Sequence, residues 1–161
     1  MEKNKHITIA PQQALLKAAN YCAYQERCHQ EVKQKLKEWG LRENEALDVM
    51  HQLIEQQYLN EERFAQAFAG GKFRTKQWGR VKIKLELKLR EVSDYCIKSA
   101  LQEIDESDYL QTLQNLLDKK WAETKAPNVL NKRAKVARYV VSKGFEQQLV
   151  WEVLTSNEAY R

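Results

Sequence analysis

The chain has 161 residues, 43% of them hydrophobic, so it is long enough to bury a core and is not a disordered polyelectrolyte. Five Gly and two Pro leave few turn residues for a sheet protein, and the abundant Ala, Leu, Glu, Gln and Lys favour an all-α fold. The net charge of +5 and the pI near 9.0 favour an acidic partner, either a nucleic acid or an acidic protein surface.

Nothing in the sequence is typical of a secreted or membrane protein. No apolar run approaches the length of a membrane span, and the N-terminus carries no apolar signal region. Three cysteines are an odd number and do not suggest a disulfide framework. We therefore expect a cytoplasmic protein without a membrane contact.

Start and stop signals in chain order divide the sequence into nine predicted helices. Pro11 opens the first helix, Asn60 is a good N-cap for the fourth, and Ser93 is placed to cap the sixth. Ser107 and Asp108 are predicted to open the seventh helix. Two glycines stand where helix ends need a residue with positive φ, and these are Gly40 and Gly144.

Six apolar positions recur in three registers, which indicates an internal repeat of helix, turn and helix. In the first copy they are Val32, Leu36, Leu41, Ala46, Val49 and Met50. In the second they are Ile83, Leu87, Val92, Ile97, Ala100 and Leu101, and in the third Val136, Val140, Phe145, Val150, Val153 and Leu154. With one preceding helix in each copy, the predicted organisation is an N-terminal tail (1–10), three three-helix repeats (11–57, 58–105 and 106–157) and a C-terminal tail (158–161).

The segment 72–92 carries two conflicting patterns. Eight of its residues are basic, and its apolar residues alternate at a period of two, which is typical of a half-buried strand. The repeat favours a helix over Gly79–Arg90 instead, because Ile83 and Leu87 then occupy the core positions of the other copies. A second apolar stripe remains, formed by Val81, Leu85 and Leu89. Either neighbouring units cover this stripe or a partner docks on it.

Three segments of the chain resemble the RecX family of RecA recombinase regulators, over about Ala14 to Leu154. They read QERCHQEVKQKLKEWGL, QYLNEERFAQAF and KFRTKQWGRVKIKLELKLREV. The family motifs fall on Arg27, Glu31, Val32, Lys35 and Leu36, then on Leu59 to Ala65, and then on Arg74, Gly79, Ile83, Glu86 and Leu87. The chain departs from the family at Cys28, where Ser is frequent, and at Trp39-Gly40 and Arg90-Glu91, where Lys-Gly is usual.

The resemblance implies three tandem three-helix repeats in an elongated, curved arrangement. It also implies a protein that binds the RecA filament, lies in the groove of the RecA–DNA complex, and lowers ATPase and strand-exchange activity in DNA repair, recombination and the SOS response. Contact with single-stranded or double-stranded DNA is expected to be weak or to occur through RecA. We expect a monomer with no cofactor.

Basic residues in two groups are the candidate contacts to RecA or DNA. The first group, with one aromatic residue, is Lys72, Arg74, Lys76, Trp78, Arg80, Lys82, Lys84 and Lys88. The second is Lys132, Arg133, Lys135 and Arg138. Either group also fits an ordinary solvated helix face. Phe73 and Trp78 are candidates for stacking on nucleic-acid bases, although aromatic residues more often pack in the core. Backbone N–H groups at the start of the helix after Trp78 are a further candidate anion site.

Other function classes find little support in the residues. Cys22, Cys28 and His29 lie close together but lack the paired spacing of a zinc site, and we expect no metal. No catalytic triad, HExxH motif or Gly-rich phosphate loop occurs, so we expect no enzyme. Two alternatives to RecA regulation stay open. One is a stand-alone nucleic-acid-binding protein with helix-turn-helix-like repeats, and the other is a helical adaptor that docks partners on the Val81, Leu85 and Leu89 stripe.

Overall fold

The computed structural model describes residues 9–161, and within this range the chain is all-helical, as predicted. The first three helices are α1 (Pro11–Tyr24), α2 (His29–Glu38) and α3 (Glu43–Glu55). The next three are α4 (Glu61–Lys76), α5 (Arg80–Leu89) and α6 (Asp94–Gln102). The last three are α7 (Glu106–Glu123), α8 (Val129–Ser142) and α9 (Gln147–Ser156), followed by a 3-10 turn at Glu158–Tyr160. Residues 1–8 of the predicted N-terminal tail lie outside the described range.

Local capping signals account for most helix starts. Pro11 occupies the first turn of α1, and the Asn60 side chain accepts a hydrogen bond of 2.9 Å from the Arg63 amide at the start of α4. Ser93 accepts one of 3.3 Å from the Cys96 amide at the start of α6. The prediction that Ser107 and Asp108 open α7 is wrong. Asp105 is the N-cap instead, because its carboxylate reaches the Asp108 amide at 2.9 Å and fixes an earlier start.

The turn after the middle helix of each unit contains one residue with a left-handed backbone. Gly40 has φ of 85° and Gly144 has φ of 100°, as their positions in the sequence predict. In the second unit the equivalent residue is Glu91, which adopts φ of 59° although it carries a side chain. The repeat therefore imposes the same turn on all three units, and the middle unit forms it at a conformational cost.

Burial confirms the repeat register. The residues at its first three positions are buried in all three units, beginning with Val32, Ile83 and Val136. Of the eighteen repeat positions only Leu101 and Val153 are half-buried, and both pack on the edge of the core. The i, i+4 spacing of the first two positions in each unit thus marks the face that each middle helix turns inward.

The three units contain two hydrophobic cores. The first unit closes its own core between α1, α2 and α3. The second and third units share one continuous core, in which Phe73 stacks on Tyr109 and Tyr109 packs on Phe145. The accessible surface of 10726 Å² exceeds the roughly 8400 Å² typical of a compact monomer of 19.0 kDa. The larger accessible surface agrees with an arrangement of the three units in a row.

The second and third units meet through backbone contacts at two glycines. The Gly79 amide donates to the Lys143 carbonyl at 2.9 Å, and the Val81 amide donates to the Gly144 carbonyl at 2.9 Å. A Cβ atom on Gly79 would lie 2.3 Å from the Gly144 carbonyl carbon. Only a residue without a side chain fits there, so Gly79 allows this close approach.

The C-terminal residues pack on the third unit. Tyr160 is buried and forms an edge contact with Trp121, with ring centroids 5.2 Å apart. The Arg133 side chain donates to the Tyr160 carbonyl at 3.0 Å. The segment 158–161 thereby completes the surface of the α7–α8 pair.

Candidate functional site

The first basic group begins on the last turns of α4. Arg74 and Lys76 are exposed there, and Lys72 is half-buried. Basic side chains at a helix C-terminus interact favourably with the helix dipole, so part of their role is local. The Lys143 ammonium donates to the Lys76 carbonyl at 2.8 Å and adds another positive charge from the third unit. The structure therefore gathers basic groups from two units at this end of α4.

Trp78 is a packing residue that also positions two lysines. Its ring is half-buried and contacts Phe68 edge to face, with centroids 6.3 Å apart. The ammonium groups of Lys72 and Lys82 lie 5.2 Å and 4.6 Å from the Trp78 ring centroid. Such cation–π contacts restrict both lysines without neutralising them.

Arg80 belongs to the junction between the second and third units. Its guanidinium lies 3.8 Å from the Tyr109 ring centroid and pairs with Glu106 at 3.2 Å and Glu146 at 3.5 Å. Only 29% of its side chain is exposed. Burial, together with the hydrogen bond that Tyr109 donates to Glu146, raises the pKa of the Tyr109 hydroxyl. The charge of Arg80 is therefore already matched inside the protein.

The proposed anion site at the start of α5 is not present. Gly79 and Val81 donate their amides to carbonyls at the end of α8, and the Arg80 amide donates to the Tyr109 hydroxyl at 3.1 Å. The prediction fails because the third unit docks against this helix end and occupies the donors that a phosphate would need.

A groove of about 720 Å³ runs between α5, α6 and the start of α7. Lys84 and Lys88 line it from α5, and Lys98 adds a third ammonium group from α6. The sequence pattern did not reveal Lys98, because it is the only base in an acidic stretch from Glu91 to Asp118. Lys84 and Lys88 lie on α5 and Lys98 lies on α6, so only the packing of these two helices brings the three lysines together.

Acidic and apolar residues complete this groove. Ile97, Leu101 and Ile104 give it an apolar lining, and three carboxylates lie along the same wall, from Asp94, Asp105 and Glu106. The groove is thus mixed in charge, with its positive side on α5.

The second basic group is divided by its own contacts. The Lys132 ammonium lies 4.4 Å from the Trp121 ring centroid, and Arg133 is tied to the Tyr160 carbonyl. Lys135 is exposed and donates to the Lys125 carbonyl at 3.3 Å. Arg138 is also exposed. Lys135 and Arg138 are the more available members of this group, whereas Lys132 and Arg133 also hold α8 to its neighbours.

The three cysteines are buried and free. Burial raises the pKa of the Cys22 thiol to about 11, and burial also raises the pKa values of Cys28 and Cys96. These thiols are protonated at neutral pH and are poor nucleophiles. Within residues 9–161 no three His, Cys, Asp or Glu side chains are grouped as a metal site requires. None of the helices described is long and apolar enough to cross a membrane.

Three tandem three-helix units, with basic groups on the second and third, define a helical-repeat protein. Family models match all three units in order. RecX, first three-helix domain, matches residues 14–53, the second three-helix domain matches 60–101, and the third matches 106–154. The chain belongs to the RecX family.

Curated relatives carry the same family name. Regulatory protein RecX of Halalkalibacterium halodurans is 30% identical over 135 residues, which cover 84% of this chain and 51% of the relative. Regulatory protein RecX of Leuconostoc mesenteroides is 28% identical over 90% of this chain and 56% of its own length. The chain therefore spans about half the length of the curated relatives it matches.

Solved structures show the same fold. The crystal structure of RecX from Lactobacillus salivarius superposes with a TM-score of 0.82 at 22% identity, over 90% of this chain and 94% of that one. A second crystal structure, of regulatory protein RecX, gives a TM-score of 0.81 at 21% identity, over 91% and 72% of the two chains. The predicted arrangement of three three-helix repeats is confirmed.

Proposed function

We propose that this chain is an inhibitory modulator of the RecA recombinase. It binds the RecA–DNA filament and lowers the filament's ATPase and strand-exchange activity during DNA repair, recombination and the SOS response. The observation that carries the proposal is the match of all three units to the RecX domains in order. The relatives are named regulatory proteins, which supports a role without catalysis.

The fold suits contact with an extended surface. The three units, proposed at 11–57, 58–105 and 106–157, present their middle helices one after another. Exposed lysines such as Lys84 and Lys88 are compact point charges that attract phosphates or carboxylates over several ångströms. The shared core and the Arg80 contacts hold the second and third units as one body. We propose that this body acts as a monomer in the cytoplasm, without a cofactor.

The direct test is RecA-catalysed ATP hydrolysis on single-stranded DNA. Adding the full chain should lower the steady-state rate as its concentration rises. An unchanged rate at concentrations that saturate binding would contradict the inhibitory role.

The charges at the end of α4 provide a sharper probe. Replacing Arg74→Glu and Lys76→Glu together should weaken binding to the filament by about tenfold or more, because both side chains are exposed and the reversal repels an acidic partner. The free energy of unfolding should change by no more than about 1 kcal/mol, the size of a helix-dipole effect. Thermal unfolding checks this, and a larger loss would show that the two residues are structural.

Direct binding to nucleic acid is a second candidate, favoured by the grouping of Lys84, Lys88 and Lys98 around one groove. Phosphate contacts would make the affinity for DNA fall steeply with salt even without RecA. Fluorescence anisotropy with a labelled single-stranded DNA over a salt series distinguishes direct DNA binding from binding to the RecA filament. Weak binding to DNA alone, beside strong binding to the filament, favours RecA as the main partner.

A further inference from the structure

The outward face of α5 carries an uncovered aliphatic stripe. The residues Val81, Leu85 and Leu89 are 52%, 56% and 64% exposed. They recur every fourth residue and extend about 12 Å along the helix. Since Ile83 and Leu87 already supply the core contacts of α5, the stripe is not required to hold the second unit together.

The other two units lack this stripe at the equivalent positions. The first unit has Gln30, Gln34 and Glu38 there, and the third has Ala134, Arg138 and Ser142. The same fold therefore forms without large aliphatic residues on this face. The exposed leucines of the middle unit are a local addition, and exposed aliphatic stripes of this kind mark contact surfaces.

Positive charge borders the stripe on both sides. Lys84 and Lys88 lie along one edge and Lys82 lies on the other. None of the three ammonium groups has a carboxylate within 4.0 Å among residues 9–161, although Asp94, Asp105 and Glu106 line the far wall of the neighbouring groove. The one acid of α5, Glu86, is paired with Arg90 at 2.9 Å.

We propose that this face of α5 docks an acidic amphipathic helix of a partner protein. Aliphatic side chains of the partner cover Val81, Leu85 and Leu89, and its carboxylates pair with the lysines at the rim. A stripe with i, i+4, i+8 spacing matches two turns of a helix packed against α5. On the proposed function, on which this inference rests, the docking helix belongs to RecA.

Charge and chemistry disfavour a second copy of the chain, a nucleic acid or a membrane as the ligand of this face of α5. A second copy of this chain would bring lysines against lysines across a symmetric contact. Nucleic acid has phosphates for the lysines but nothing to cover three aliphatic side chains, and the stripe offers no aromatic ring for a base. A ten-residue helix with three exposed aliphatic residues is small for a membrane-surface anchor.

Binding of the full chain to RecA filaments on single-stranded DNA tests the inference. The variant Leu85→Gln with Leu89→Gln should bind at least about tenfold more weakly, and Lys84→Gln with Lys88→Gln should also bind more weakly. The repeat supplies a matched control, because Lys33 and Lys37 hold the equivalent positions on α2 beside a polar face. Lys33→Gln with Lys37→Gln should leave the affinity within about twofold of the parent chain.

The outcomes separate this inference from the proposed function. Unchanged filament binding by the Leu85→Gln, Leu89→Gln variant overturns the docking face but leaves RecA binding intact. Absence of filament binding by the parent chain overturns both. Binding to single-stranded DNA alone, or to phosphatidylglycerol vesicles, that is lost in the leucine variant would assign the stripe to another partner and overturn the inference. Circular dichroism and thermal unfolding should show that each variant is folded.

Discussion

Helices α2 and α5 occupy the same place in their units but face the surroundings differently. Both turn two aliphatic residues into the core, and both carry two lysines at matched positions. They differ on the remaining outward face, which is polar on α2 and aliphatic on α5. The fold therefore constrains only the inward pair, and the outward residues are available to distinguish one unit from another.

The junctions of the two units also differ. The first unit closes a core of its own and contacts the second through few groups, including the Arg63–Glu26 ion pair and Cys28, which packs in the core of the other two units. The second unit instead shares its core with the third and locks to it through Gly79, Arg80 and Tyr109. Most core residues of the middle unit therefore pack in the same core as the third unit, whereas most core residues of the first unit pack in a core of their own.

The largest difference should appear between the two faces of α5. Replacing the buried Leu87 with Ala should lower the free energy of unfolding by about 2–5 kcal/mol, because it leaves a cavity in the shared core. Replacing the exposed Leu85 with Ala should change it by no more than about 0.5 kcal/mol. Urea unfolding of both variants measures the difference. Equal losses would mean that the stripe is structural after all.

A second contrast concerns two glycines of the middle unit. Gly79→Ala should destabilise the protein by about 1–3 kcal/mol, since the new methyl group meets the backbone of the third unit. Gly71→Ala lies within α4, where an added Cβ meets no atom within 4 Å, and should stabilise by about 0.5–1 kcal/mol. Opposite shifts in melting temperature are expected. Shifts of the same sign would refute the assigned contact at Gly79.

Substitutions of Arg80 and Lys84 should distinguish a basic residue that stabilises the fold from one that is exposed on the surface. Arg80→Gln removes the cation that faces Glu106 and Glu146 and should cost about 1–2 kcal/mol of stability. Lys84→Gln should alter stability by less than about 0.5 kcal/mol. Chemical denaturation of the two variants gives the comparison. If Arg80→Gln is as stable as the parent, Arg80 is instead available to a partner.

The smallest effect should come from the left-handed turns. Glu91→Gly should raise stability by about 1 kcal/mol, because glycine adopts positive φ without the steric cost of a side chain. Gly40→Ala, at the matched turn of the first unit, should lower stability by a similar amount. Thermal melts of both variants test the equivalence of the turns. Destabilisation by Glu91→Gly would show that this side chain makes a contact that outweighs its strain.

Much of the fold follows from local sequence patterns. The i, i+4 spacing of pairs such as Val32 and Leu36 predicts the buried face, and Asn60 and Ser93 predict helix starts, because capping acts within three or four residues of the chain. The sequence does not single out Asp105, because Ser107 and Asp108 are equally good caps, and only the formed hydrogen bond distinguishes them. The candidate site was less predictable. Arg80 and Lys84 are both basic residues on one helix, yet one faces a junction and the other faces solvent.

Sequence patterns alone establish that this protein is an all-helical repeat, which apolar residues form its core, and that its middle unit is unusually basic. The packing of the helices establishes that Arg80 serves the junction, that Lys98 joins Lys84 and Lys88, and that the stripe of Val81, Leu85 and Leu89 is uncovered. The two sets of findings differ in the range of the contacts on which they rest. Helix periodicity is set between neighbours along the chain, whereas the Lys143–Lys76 hydrogen bond joins residues 67 positions apart and exists only once the units have packed.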